Sequence, residues 1–171
     1  CTGEGPPSPL PPRRTPSHLR SLNDQLEMLE AKGQTNLIAG LHEFAETNPQ
    51  RALVVVISDF FVDQAELRAA LEHLRFRKHD VALFHLLDEQ EVNFDFSRPT
   101  RFVDIEGDTA IFADPSEVLD RYQTVLRDYL SGIRQLSLEC AVDYHRVLLS
   151  EDYEQVLHRF LARRITSRSS G

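Results

Sequence analysis

Asp59 is the residue best placed to do chemistry. It follows Ser58 at the end of the apolar run Leu53-Val54-Val55-Val56-Ile57 and opens a segment containing Phe60, Phe61 and Asp63. A carboxylate emerging from a buried strand is costly to desolvate unless a cation or several donors meet it. Such a group can be a metal ligand, a nucleophile or a general base; the plainer alternative is a loop carboxylate or the N-cap of the next helix. Asp88 ends a second apolar run, Val81 to Leu87, and poses the same choice. Thr35, in Gly33-Gln34-Thr35-Asn36, sits where a helix should begin. Its hydroxyl could cap that helix, or bind a hard cation such as magnesium, which takes oxygen donors.

Other constellations are poorer. The sequence contains no Gly-x-Ser-x-Gly elbow, no Gly-x-x-x-x-Gly-Lys and no Gly-x-Gly-x-x-Gly. Asp59 is followed by two phenylalanines and lacks the second acid, two residues on, of a haloacid-type phosphotransferase. His73, His79 and His85 fall on a helix, a loop and a strand, and read as surface or core histidines. Glu139-Cys140 reads as a helix end with a buried small apolar position. Arg159, Arg163 and Arg164 read as cations favouring the C-terminal dipole of the last helix.

These residues need elements to hold them. Leu19, Leu22, Leu26 and Leu29 recur at helical spacing, with Ser17 as the expected N-cap and Gly33 as the stop. A second helix is expected over residues 36–46, with Leu37, Leu41, Phe44 and Ala45 inward. Ala52 to Ile57 reads as a parallel strand covered on both faces, because it is apolar at every position. A helix over residues 63–77 with Leu67, Ala70, Leu71 and Leu74 inward precedes the strand Val81–Leu87. Short β pieces are expected at Val92–Phe96, Arg101–Ile105 and Ala110–Phe112, broken by Pro99 and Gly107. A long helix from Pro115 towards Cys140, a strand Asp143–Leu149 and a helix Glu151–Ala162 follow. The alternation predicts an α/β fold: a partial doubly wound, Rossmann-like parallel sheet with helices on both faces and a small β excursion.

Composition excludes more than it selects. Lys+Arg 19 against Asp+Glu 27 gives a net charge of −8, which argues against a nucleic-acid partner bound by phosphate neutralisation. No apolar run approaches the roughly 20 residues of a membrane span. Two cysteines make neither a disulfide framework nor a four-thiolate metal site. Residues 1–16 form a Pro-rich extended lead and residues 165–171 a polar tail, leaving 17–164 as the folded part. The start at Cys1 suits a lipidated cysteine or, as the expectation adopted, a piece of a longer protein.

Several stretches, taken in order, carry a resemblance. They are Pro11-Pro12-Arg13-Arg14 leading to His18-Leu19, Gly33-Gln34-Thr35-Asn36-Leu37, Val54 to Phe61, and His79-Asp80-Val81 running on to Leu87-Asp88-Glu89-Gln90-Glu91. Phe94-Asp95-Phe96, Phe102 to Glu106, and Leu157 to Arg163 complete the set. Together they resemble the second half of a von Willebrand factor A-like domain, and more specifically the bacterial domain-of-unknown-function family 58, whose members often accompany MoxR-type ATPases.

The resemblance implies a non-catalytic protein-interaction module working with such an ATPase in chaperone-like complex assembly. It further implies a cytoplasmic protein, whose relatives often carry hydrophobic segments before this domain. In A domains a Mg2+ ion is held by an Asp-x-Ser-x-Ser after the first strand, a later threonine and an aspartate after the fourth strand. Thr35 matches the threonine, Asp59 matches the aspartate, and Ser58 lies beside the metal. The Asp-x-Ser-x-Ser has no match here and is expected upstream of Cys1, so that Mg2+ binds only if it exists there. Without an upstream strand, Leu53 to Ile57 becomes an exposed apolar edge and the isolated chain poorly stable. The alternatives are a metal-dependent hydrolase-like enzyme using Asp59, or a truncated remnant without a working site.

Overall fold

The computed structural model describes residues 15–28, 36–94, 100–103, 110–113 and 115–168, with side chains left aside at 100–103, 110–113, 115–117 and 166–168. The chain divides into two units, Cys1–Gly40 and Leu41–Gly171. In the first unit, α1 (Pro16–Met28) starts two residues earlier than a Ser17 cap would place it. The Thr15 carbonyl accepts from His18 N at 3.0 Å, and Pro16 occupies the first helical position, where a missing N–H costs nothing. Leu19, Leu22 and Leu26 of the expected stripe lie on α1, where no residue is buried, and Leu29 and Gly33 lie outside the described residues. Helix α2 (Leu37–Thr47) is capped by Asn36, whose side chain accepts from Ala39 N at 3.0 Å. Thr35 lies outside the described residues.

In the second unit, β1 (Leu53–Ser58), β2 (Asp80–Leu87) and β5 (Asp143–Leu148) form a parallel sheet in the order β1-β2-β5. Ser58 pairs with His85, and His85 with Arg146. Between β2 and β5 lie α4 (Glu89–Asn93), the antiparallel pair β3 (Thr100–Val103) and β4 (Ala110–Ala113), and α5 (Pro115–Glu139). Helix α3 (Gln64–Phe76) links β1 to β2, and α6 (Tyr153–Arg168) follows β5. The expected Rossmann-like α/β architecture is what forms, with three parallel strands and helices against both faces of the sheet.

The core explains why. On one face, Leu67, Ala70, Leu71 and Leu74 of α3 and Ile133 and Leu136 of α5 are almost wholly buried, as are Val81 and Leu83 of β2. Each leucine removed from water contributes about 1.5–3 kcal/mol. On the other face, Val156 and Phe160 of α6 cluster with Ala82, Phe84 and Val147; the Phe84 and Phe160 rings meet edge to face at 5.2 Å. Asp80 anchors the start of β2 through both carboxylate oxygens, each 3.0 Å from Arg51.

Three expectations need correction. The Ala52–Ile57 run is not covered on both faces: β1 is an edge strand, with Val54 and Val56 buried while Leu53, Val55 and Ile57 are 45%, 43% and 64% exposed. Helix α6 reaches only part of the sheet's second face, so the exposed apolar edge is the expectation that holds. The Val92–Phe96 β piece is instead helical through Asn93, and Asp95 and Phe96 lie outside the described residues. The cause is a capping box, in which Asp88 accepts from Gln90 N at 2.7 Å and Glu91 accepts from Asp88 N at 3.1 Å. Finally, Arg159 and Arg164 are not dipole partners in a last turn. Helix α6 continues to Arg168, Arg159 pairs with Glu151, and Arg164 pairs with Asp143 and Asp80.

Candidate functional site: the loop that ends β1

Residues 58–62 leave β1 in a tight, internally bonded loop. Ser58 Oγ accepts from Phe60 N at 3.0 Å, Asp59 Oδ1 accepts from Phe61 N at 3.2 Å, and the Phe60 carbonyl accepts from Val62 N at 2.6 Å. Phe60 stands at φ 55°, a left-handed conformation that costs a bulky residue about 1–2 kcal/mol. Two features offset that strain. The Phe60 side chain is fully buried, and its carbonyl also accepts the Tyr129 hydroxyl of α5. Asp63 then caps α3, accepting from Ala65 N and Glu66 N at 2.8 and 3.0 Å. The N-cap role considered for Asp59 therefore belongs to Asp63, and Asp59 is left exposed.

Behind the loop sits an aromatic and polar cluster. The buried His85 ring meets Phe60 edge to face at 5.3 Å, and its Nδ1 lies 2.9 Å from the Tyr144 hydroxyl of β5. Burial lowers the His85 pKa, while the main chain and carboxylate of Asp59 pull the other way. Burial pushes Tyr129 up to about 12, and the Asp59 charge adds to the effect. Both groups are thus neutral near pH 7; the Tyr129 hydroxyl holds the loop from below, while His85 is tied to Tyr144. Phe61 stacks on Tyr129 at 5.8 Å while remaining 62% exposed. The result is a rigid turn that presents one carboxylate and one phenyl ring to solvent.

The other candidates resolve separately. Ser58 joins Asp59 at the strand end, with Oγ 3.5 Å from Oδ1. Asp88 is the helix cap already described. His79 is wholly buried, with Nδ1 accepting from Ala52 N at 3.2 Å, and Cys140 is buried with its thiol pKa raised by that burial. Tyr129 and Tyr144 escaped the sequence reading. A hydroxyl-bearing residue at Tyr129, four before Ile133 on the buried stripe of α5, was the signal available for the first. Pairing across strands, which the sequence does not display, places the second.

Magnesium needs about six oxygens in near-octahedral array. Asp59 and Ser58 supply two neighbouring donors, and among the described residues no three His, Cys, Asp or Glu side chains gather to hold a metal. The described residues alone therefore do not fit a metal centre.

Among the described residues no helix is long and apolar enough to cross a membrane. No curated protein and no solved structure matches the chain. A family model does match, over residues 3–129, and its description is "Protein of unknown function DUF58". That match takes in the whole loop, α3, β2 and the Tyr129 anchor, and the chain belongs to the DUF58 family.

Proposed function

We propose that this chain is a non-catalytic, von Willebrand factor A-like interaction module that recognises a protein partner through the loop 58–62, the partner being a MoxR-type ATPase in chaperone-like assembly. One observation carries the reading. The loop's internal bonds and the Tyr129 anchor are spent on holding the turn, while Asp59 and Phe61 face solvent. Binding favours such an arrangement because a pre-ordered loop loses little entropy on association. An acid–base enzyme would need a titratable partner within reach of Asp59. His85 is buried and its Nδ1 engages Tyr144, and the Tyr129 hydroxyl is committed to a carbonyl.

A Mg2+ ion at Asp59 belongs to the same reading only if oxygens other than those of the described residues complete its coordination. It would supply an open coordination position for a partner carboxylate. The test is the affinity of the purified ATPase for the chain carrying Asp59→Ala or Phe61→Ala, with Glu139→Ala as a remote surface control. Loss of at least tenfold for both loop variants, with the control unchanged, is the expected result. Equal affinity for all forms would remove the loop from the interface.

A further inference from the structure

The opposite edge of the sheet differs sharply from the rest of this acidic chain. Strand β5 is an edge strand, and two adjoining recesses of about 350 and 330 Å3 run along it, sharing Tyr144, His145 and Arg163. Helix α5 contributes Arg134 to this edge, β5 contributes Arg146, and α6 contributes Arg159, Arg163 and Arg164. Among the described residues, Asp143 is the one acidic residue lining either recess, in a chain whose net charge is −8. Arg159 and Arg164 are ion-paired, to Glu151 and to Asp143 and Asp80, whereas Arg134 and Arg146 make no ion pair among the described residues. Both are exposed, and both oppose the burial that raises the Tyr144 pKa, so their charge reaches the strand itself.

The backbone of the edge is partly open. Leu149 N bonds to Leu87 O across the sheet at 2.9 Å. Because a strand's in-plane groups alternate sides, the odd-numbered residues of β5 face β2 and the even-numbered ones face outward. The outward Leu148 N–H is met by Glu151 Oε1 at 3.0 Å, which closes that end. Tyr144 and Arg146 are left with outward N–H and C=O groups and, among the described residues, no further strand beside them. Unpaired edge groups are a template for strand addition.

We infer that the β5 edge is a docking site for an extended acidic peptide segment of a protein partner, which adds as a strand against Tyr144 and Arg146 and sets carboxylates against the arginines on both sides. The commitment to an acidic occupant rests on charge. Among the described residues neither Arg134 nor Arg146 makes an ion pair, although the Arg146 charge reaches the Glu151 carboxylate, and like charge there would be repelled. Backbone pairing supplies register, and the guanidinium groups supply choice of partner. This surface is separate from loop 58–62 and does not depend on the function proposed for it.

The test uses a fluorescein-labelled peptide of Glu-Glu-Val repeats, ten residues long, and a Lys-Lys-Val counterpart. Binding is followed by anisotropy at low salt and by amide shifts of the 15N-labelled chain. Preferential binding of the acidic peptide is expected, with shifts centred on Tyr144 and Arg146. The double variant Arg134→Gln/Arg146→Gln, which alters exposed side chains and is checked for folding by circular dichroism, should weaken it at least tenfold. Asp59→Ala should leave it unchanged. Equal binding of the lysine peptide, or undiminished binding by the double variant, would overturn the inference. So would a duplex DNA probe that displaces the peptide while the Tyr144 and Arg146 amides stay unshifted, since that marks a general polyanion patch.

Discussion

The two edges of the sheet solve the same physical problem in opposite ways. Among the described residues, β1 and β5 each lie beside a single neighbouring strand. β5 carries Asp143, His145 and Arg146, is closed at its end by Glu151 and is flanked by arginines from two helices. Charge of this kind discourages indiscriminate edge-to-edge pairing. β1 carries Leu53, Val55 and Ile57 on a face no helix covers among the described residues. The contrast teaches that the charged edge can face solvent alone, whereas the apolar edge is comfortable only when something lies against it. Loop 58–62 begins at the end of that second, exposed edge.

The comparison can be broken most forcefully in the central strand between the edges. Leu83→Ala removes a fully buried side chain and should cost about 2–5 kcal/mol in denaturant unfolding. Ile57→Ala, at the exposed edge, should cost within about 0.5 kcal/mol. Similar costs at both positions would mean that β1 is covered after all. Next in size is the anchor of the loop. Tyr129→Phe deletes the hydroxyl that meets the Phe60 carbonyl and should cost about 1–2 kcal/mol. It should also speed hydrogen exchange at Phe61 and Val62 more than at β5 amides.

Acidification offers a graded version of the same contrast. His85 sits behind the β1 loop and His145 on β5; burial lowers both from the ordinary 6.5. The folded protein therefore binds protons less readily than the unfolded chain. Stability is fully present above pH 6.5 and is lost as the pH falls through the depressed folded values. Thermal melts from pH 8 to pH 5 should show falling midpoints below that point, and His145→Gln should flatten the fall by removing one contribution. The smallest effect concerns association. Val55→Lys should leave stability nearly unchanged while reducing concentration-dependent self-association in sedimentation velocity. Unaltered association would mean that the apolar edge is not the sticky one.

Much of this was legible before any coordinates. Leu67, Ala70, Leu71 and Leu74 marked the buried stripe of α3 through their spacing alone, and the even apolarity of Val81–Leu87 marked the central strand. The same evenness misled at Ala52–Ile57, because an edge strand and a central strand can share a composition and differ only in their neighbours. The helix at Glu89–Asn93 was hidden in a short segment whose signal is a capping pair, Asp88 and Glu91, rather than a period. At the site, Asp59 and Ser58 were readable from their place after an apolar run. The support beneath them was not. Phe60 in a left-handed conformation gives no sequence cue, since glycine or asparagine is the usual occupant. His85, Tyr129 and Tyr144 meet only because three separate elements converge.

The most direct test of the central claim maps the interface on the protein itself. The purified MoxR-type ATPase is added to the 15N-labelled chain, and amide shifts and line broadening are followed residue by residue. The account expects the first and largest changes at Asp59, Phe60, Phe61 and Val62, diminished in the Asp59→Ala protein. Binding that leaves this loop unperturbed, or changes confined to other surfaces, would contradict it.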